Sequence, residues 1–149
     1  MIKVQREDFD IGAELAPLTE GNHAVGGLAM FVGLVRDLAP QGHISAMTLE
    51  HYPGMTEKRL QEIEAEARSR WPLEDVLIIH RYGRLEPGER IVLVATTSSH
   101  RQAALESCAF LIDWLKTKAP FWKLEEGAQG AQWVDARASD DQAAEKWKK

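Results

Sequence analysis

The chain has little cysteine and no long apolar segment. Its 149 residues include one cysteine, Cys108, which excludes an intrachain disulfide and a cysteine-rich zinc site. No apolar run approaches the roughly 20 residues that a membrane-spanning helix requires. The N-terminal MIKVQREDFD lacks the apolar core of a signal peptide, so the sequence predicts a cytoplasmic protein without a membrane segment.

Net positive charge and metal-ligand spacing are also missing. The formal net charge of -5 argues against a general nucleic-acid binder. His23, His51 and His80 have no spacing that indicates a metal site, so no metal or cofactor is expected, and His80 is interpreted as a packed histidine of an apolar strand. The length fits a single domain over residues 1–149, with 138–149 as a polar tail or frayed helix.

Hydrophobic patterning predicts an α+β fold, because strands and helices mix without strict βαβ alternation. Glycines at 26, 27 and 33 indicate bends or close backbone approaches. Two strands separated by Pro87-Gly88 are expected to pair. Strands are predicted at 2–5, 24–35, 44–51, 76–81 and 91–97, helices at 10–18, 55–71 and 99–119, and a loop at 38–43.

The last long predicted helix has a recognisable start and a buried face. Ser99 and Gln102 fit the S-x-x-Q capping box, and Pro120 ends the helix. A buried stripe is predicted at Ala104, Cys108, Leu111 and Leu115. Cys108 is therefore interpreted as a packed, inert thiol.

Residues 98–125 concentrate basic groups at both ends of this helix. His100 and Arg101 lie in the first turn, where unpaired N–H groups attract an anion. Lys116 and Lys123 flank the apolar Phe121-Trp122 pair, and partial burial would make either lysine usable as a base. Arg36 ends a strand. Each charge also has an ordinary explanation as a solvated terminus or an exposed ion pair, so the residues alone leave an anion site and plain surface charge both open.

Several motifs in fixed order resemble the large, catalytic subunit of molybdopterin synthase. Each motif alone is weak, but their order over most of the chain, from about residue 24 to 137, is specific. The matching stretches are FVGLVRD (31–37), LEHYPGMTEK (49–58), RWPLEDVLIIHRYGRLEPGE (70–89), SSHRQAALE (98–106), LKTKAPFWKLE (115–125) and GAQWVDAR (130–137).

The resemblance implies a hammerhead-type α+β fold with a mixed or antiparallel sheet and two main helices. It also implies a homodimer with a small ubiquitin-like sulfur-carrier subunit at each end, making a heterotetramer. The carrier's C-terminal Gly-Gly thiocarboxylate would enter a pocket of the large subunit. The implied reaction adds two sulfurs to cyclic pyranopterin monophosphate and yields the dithiolene of molybdopterin.

The resemblance also implies roles for matched residues. Lys116 and Lys123 would serve catalysis, while Arg36, His100 and Arg101 would bind phosphate. Ile112 departs from the expected methionine but remains apolar. Further implied positions are substrate contacts at Leu34, Val35, Leu124 and Glu125, pocket lining at Phe31 and Ile112, and a weaker candidate at Arg137.

The length of the helix adds a geometric hypothesis. His100 and Lys116 are 16 residues apart, which is roughly 24 Å along a helix axis at ~1.5 Å per residue. One small substrate is too short to contact both ends of this helix. We therefore expect each site to combine Arg36, Lys116 and Lys123 of one subunit with His100 and Arg101 of its dimer mate.

Two other function classes fit the same basic residues. One is a non-catalytic module that holds a phosphate or nucleotide. The other is an enzyme that forms a Schiff base on Lys116 or Lys123. Detection of a dithiolene product separates sulfur transfer from the first, and borohydride trapping of a carbonyl substrate identifies the second.

Overall fold

The computed structural model describes residues 1–39, 42–128, 130–134 and 138–148. None of the helices in these ranges is long and apolar enough to cross a membrane. The helices are α1 Ile11–Thr19, α2 Met55–Arg70, α3 Arg101–Lys118 and α4 Ala138–Glu145. The strands are β1 Ile2–Gln5, β2 Gly27–Leu34, β3 Leu38–Ala39, β4 Gly42–His51, β5 Leu73–Arg81, β6 Gly83–Leu85, β7 Arg90–Ser98, β8 Phe121–Gly127 and β9 Gly130–Val134.

The first sheet has the strand order β1-β5-β7-β2 and forms the centre of the fold. β1 runs parallel to β5, and the other pairs are antiparallel, which confirms the predicted pairing of the strands on either side of Pro87-Gly88. The continuous apolar runs of β5 and β7 follow from burial on both faces, with the two long helices on one side and α1 on the other. The predicted α+β class is confirmed.

The second sheet has the order β3-β4-β8-β9, with β6 also paired to β4. The prediction of a loop at 38–43 is wrong for residues 38, 39, 42 and 43, because Leu38 pairs with His43 and Ala39 with Gly42. Residues 40 and 41 lie outside the described residues. β8 and β9 were not predicted as strands. β8 has the sequence FWKLEEG, in which Lys123 and Glu125 interrupt the apolar residues, so it lacks the apolar run that marks a buried strand.

Both long helices lie where the sequence places them, with one error in detail. The predicted stripe of α3 is buried at all four positions. The capping box at Ser99 and Gln102 is wrong, because α3 begins at Arg101 and His100 occupies the N-cap without a side-chain capping bond. α1 also continues past Pro17 to Thr19. Leu18 is buried together with Phe9 in the smaller hydrophobic cluster, which lies between α1 and the first sheet.

The segment expected as a polar tail or frayed helix contains α4 and is attached to α3. The indole of Trp147 donates a hydrogen bond from Nε1 to Asp113 Oδ2 at 2.7 Å and packs against Trp71 and Phe110. Arg70 donates to the Trp147 carbonyl at 2.6 Å. These contacts hold the end of the chain beside the helix that carries Lys116.

Glycines let β2 lie unusually close to its neighbours, as predicted. A Cβ built on Gly26 would come within 2.0 Å of the Ser99 carbonyl oxygen, and one on Gly33 within 2.7 Å of Val92 Cγ1. Gly26 also donates its N–H to the Ser98 carbonyl at 2.9 Å. The start of β2 therefore abuts the backbone that leads into α3.

We expect Gly26→Ala to displace the start of α3 and to lower the free energy of unfolding by roughly 2–3 kcal/mol, the upper range for overpacking. The clash is with backbone, so a rotamer change cannot relieve it. Urea denaturation followed by circular dichroism measures the loss. Gly12→Ala is the matched control, since its added Cβ meets Asp10 Oδ1 at an ordinary 3.5 Å. Equal stability of both variants would contradict the close approach.

Candidate functional site

A cavity of about 440 Å³ is lined by residues of both sheets and the C-terminal end of α3. Its wall combines apolar side chains with a small number of charged ones, the usual composition of a small-molecule site. The lining residues are Phe31, Val32, Gly33, Leu34, Arg36, Ile44, Met47, Leu49, His80, Ile91, Leu115, Lys116, Ala119, Phe121, Lys123, Glu125, Val134 and Asp140.

Three cations line this cavity from three different parts of the chain. Arg36 follows β2, Lys116 lies in the last turn of α3, and Lys123 lies in β8. Two acids, Glu125 and Asp140, line it as well. The sequence predicted the three cations as site residues, and the structure brings them to one concave surface suited to an anionic ligand.

β8 presents its functional residues by strand alternation. Phe121, Lys123 and Glu125 are two apart and share one face, and all three line the cavity. Trp122 and Leu124 occupy the opposite face, and Trp122 is half exposed. Glu125 is buried and lines the same cavity as the three cations. Leu124 thus does not line the cavity with its side chain.

The backbone before Arg36 is fixed by hydrogen bonds to the turn between β6 and β7. Val35 donates its N–H to the Glu89 carbonyl at 2.9 Å, and its own carbonyl accepts from Gly88 at 2.8 Å. Val35 itself is buried in the larger hydrophobic cluster, which includes residues of α2 and α3, and it does not line the cavity. This double attachment holds the end of β2, and with it Arg36, at the cavity.

His80 lines the cavity and was not predicted as a site residue. Its ring stacks on Phe121 with centroids 3.7 Å apart and an interplanar angle of 16°. Burial, reinforced by the charge of Lys116, lowers the pKa of His80 to about 3. The apolar run before it led to its interpretation as a packed residue, which its burial confirms. No sequence pattern shows that its ring also faces a cavity.

The remaining predicted site residues lie elsewhere. His100 and Arg101 are exposed at the start of α3, away from the cavity at its other end. Ile112 is partly buried and packs against the core of the first sheet. Arg137 lies outside the described residues. Within one chain, His100 and Arg101 are therefore separated from the cavity and Lys116 by the length of α3, as predicted.

Cys108 has no nucleophilic character in this fold. It is buried under the first sheet, and its thiol lies 3.8 Å from the Val94 carbonyl oxygen. Burial raises the pKa of the thiol to about 11, so the thiolate is scarce near neutral pH. Within the described ranges, no group of three or more His, Cys, Asp or Glu side chains could hold a metal ion.

Comparison with known proteins gives consistent matches. The family model described as MoaE protein matches residues 4–118. The molybdopterin synthase catalytic subunit of Mesorhizobium japonicum is 52% identical over 149 residues, covering 99% of this chain and 92% of the relative.

Solved structures agree with the sequence matches. The molybdopterin biosynthesis MoaE protein of Burkholderia ambifaria superposes with a TM-score of 0.84 at 55% identity, covering 99% of this chain and 97% of that one. A protein–protein complex of subunits 1 and 2 of molybdopterin-converting factor from Helicobacter pylori shares the fold, with a TM-score of 0.74, 21% identity and 91% coverage of each chain. On the family model and the 52% identity together, the chain belongs to the MoaE family.

Proposed function

We propose that this chain is the catalytic subunit of a molybdopterin synthase. It transfers sulfur from the C-terminal thiocarboxylate of a small ubiquitin-like carrier to cyclic pyranopterin monophosphate. The observation that carries the proposal is the convergence of Arg36, Lys116 and Lys123 on one cavity whose walls include Phe31 and Phe121. Cationic groups suit the phosphate and the thiocarboxylate, and the aromatic rings suit the pterin.

The lysines carry the chemical role in this proposal. An acyl group that is attacked develops negative charge on oxygen, and fixed ammonium groups stabilise that charge. Lys116 and Lys123 also neutralise the incoming thiocarboxylate and move protons when the cyclic phosphate opens. Arg36 holds phosphate oxygens through its planar guanidinium. The sulfur comes from the partner, in agreement with the buried Cys108.

The active protein in this proposal is a homodimer in which each site takes His100 and Arg101 from the mate. β2 supports this arrangement because it runs from the start of α3, where His100 and Arg101 lie, to the cavity. Its first residue, Gly27, would place a Cβ 3.4 Å from Arg101 Cα, and its last residue, Leu34, lines the cavity. Eight residues of strand span roughly 23–27 Å, which is close to the length of α3 between its two basic ends.

The exposed face of β2 supplies a surface for such a dimer. β2 is an edge of the four-stranded sheet, and Leu28, Met30 and Leu34 are between 36% and 53% exposed on one of its faces. An exposed apolar edge strand favours pairing with another chain. In a dimer whose two-fold axis passes through the middle of this contact, the β2 strands of the two subunits would lie antiparallel to each other. The α3 start of one subunit would then lie at the cavity of the other.

We expect Met30→Asp to shift the protein from dimer to monomer, because the substitution places a charge in the middle of the proposed apolar contact. Sedimentation velocity at micromolar concentration measures the mass. Met55→Asp is the matched control, since Met55 is 41% exposed and belongs to the first turn of α2 rather than to β2. A Met30→Asp protein that stays dimeric would place the interface elsewhere.

Reconstitution tests the proposed activity against its rivals. The full chain is mixed with a Gly-Gly-ending carrier bearing a C-terminal thiocarboxylate and with cyclic pyranopterin monophosphate. Sulfur transfer gives a dithiolene product, detected after oxidation as a fluorescent pterin. Binding of the pterin without product would support the non-catalytic module instead. Borohydride-dependent labelling of Lys116 or Lys123 would support a Schiff-base enzyme.

A further inference from the structure

His80 is a buried polar side chain in the wall of the cavity. It is 2% exposed, and its ring is stacked on Phe121 with centroids 3.7 Å apart. Its Nδ1 lies 2.8 Å from the carbonyl oxygen of the next residue, Arg81. A carbonyl oxygen only accepts hydrogen bonds, so Nδ1 carries the proton. The stack therefore fixes the plane of the imidazole, and the hydrogen bond fixes which nitrogen is protonated.

The other ring nitrogen, Nε2, is left as a hydrogen-bond acceptor. Among the described residues, the one hydrogen bond of the His80 side chain uses Nδ1. Burial is the main cause that lowers the pKa of His80 to about 3, so the ring is neutral near neutral pH and Nε2 keeps its lone pair. A buried acceptor is costly unless it meets a donor. The cavity is where a ligand can supply one, because His80 is part of its wall.

We propose that His80 is a substrate-binding residue whose Nε2 accepts a hydrogen bond from an N–H group of the pterin ring. The pterin carries neutral N–H donors on a largely planar ring, and Phe121 adds an aromatic surface beside the acceptor. Lys116 and Lys123 in the same cavity suit the anionic part of the molecule. This inference deepens the proposed function and rests on it for the identity of the ligand.

A neutral acceptor at this place makes the site selective. A ligand that presents an N–H group to Nε2 satisfies the buried lone pair, whereas an anionic oxygen would meet it without a hydrogen bond. We therefore expect inorganic phosphate to bind at the cations of the cavity and not at His80. A site that hydrogen-bonds an N–H group of its ligand discriminates strongly against molecules that lack this group.

Nitrogen NMR of the full chain, uniformly labelled with ¹⁵N, tests the contact directly. We expect the Nε2 resonance of His80 to be that of a bare acceptor and to shift when cyclic pyranopterin monophosphate is added. Inorganic phosphate or a Gly-Gly peptide should leave it unchanged. His51 is the internal control, since its ring centroid lies 6.0 Å from that of Phe121 but it does not line the cavity. A proton on Nε2, no shift at saturating pterin, or a shift with the peptide alone would overturn the proposal.

Two substitutions measure what the hydrogen bond contributes to binding. His80→Phe keeps a ring against Phe121 but removes the acceptor, and His80→Gln keeps an oxygen acceptor of similar reach. We expect His80→Phe to weaken binding of cyclic pyranopterin monophosphate by about 10-fold, as for a donor left buried without a partner, and His80→Gln to recover most of this loss. Anaerobic isothermal titration calorimetry measures the dissociation constants. His51→Phe is the control variant and should stay within about twofold of wild type.

Binding of inorganic phosphate separates this contact from a general disturbance of the cavity. Its dissociation constant should be unchanged in His80→Phe, because the cations remain. Equal weakening of phosphate and pterin, or equal losses in the Phe and Gln variants, would reduce His80 to a packing role. If the pterin binds with the Nε2 shift but no sulfur is transferred, the proposed function fails and the contact stands. Sulfur transfer without the shift would have the opposite meaning.

Discussion

Replacing Lys123 or Lys116 by alanine is expected to lower kcat for sulfur transfer by at least about 100-fold, the usual cost of removing one group that stabilises a developing oxyanion. Both lysines line the same cavity, but they come from β8 and α3, and neither belongs to the buried hydrophobic core. The loss should therefore be in catalysis rather than in folding. Product formation at saturating carrier and pterin measures it.

Lys118→Ala provides the matched control. Lys118 is in the same last turn of α3 as Lys116, is exposed, and packs its ammonium over Trp114 instead of lining the cavity. We expect its kcat to stay within about twofold of wild type, as for a surface substitution. Comparable losses of kcat in Lys116→Ala and Lys118→Ala would mean that the overall positive charge at the end of α3, and not the position of Lys116 in the cavity, supports the reaction.

A mixture of Lys116→Ala and Arg101→Ala chains is expected to recover about a quarter of wild-type activity. Random pairing makes half of the dimers mixed, and each mixed dimer has one site with both defects and one intact site. The intact site takes its cavity from one chain and its His100-Arg101 pair from the other. Co-refolding equal amounts of the two variants and assaying product measures the recovery.

The corresponding control mixes Lys116→Ala with Lys123→Ala. Both substitutions lie in the same cavity of one chain, so no mixed dimer has an intact site. This mixture should stay as inactive as its components. Recovery in the control, or none in the test mixture, would contradict a site shared between subunits. Recovery only in the test mixture would also explain why the structure separates His100 and Arg101 from the other basic residues.

Local patterns in the sequence were sufficient for the central part of the fold. The strands β5 and β7 were identifiable because burial on both faces makes their apolar runs continuous. The stripe of α3 was identifiable because burial on one face imposes a helical period. β8 was missed because its inward positions hold Lys123 and Glu125, which serve a cavity rather than a core. Charged residues at the cavity wall thus removed the apolar signal that would have identified the strand.

The candidate site shows the same limit. Arg36, Lys116 and Lys123 could be named because they are charged residues in motifs of a recognisable family. His80 could not, since an imidazole within an apolar run has the same sequence pattern whether it packs in a core or faces a cavity. Only the pairing of β4 with β8, which brings Phe121 onto the His80 ring, distinguishes the two cases.

Following the sulfur atom tests most directly whether this chain transfers sulfur from a carrier to the pterin. The carrier is prepared with a ³⁵S-labelled C-terminal thiocarboxylate, and a single turnover is run with the full chain and cyclic pyranopterin monophosphate. We expect the label to leave the carrier and to appear in the pterin, two sulfurs per completed dithiolene, with none on this chain. Label bound covalently to Cys108, or label retained by the carrier in the presence of the pterin, would contradict it.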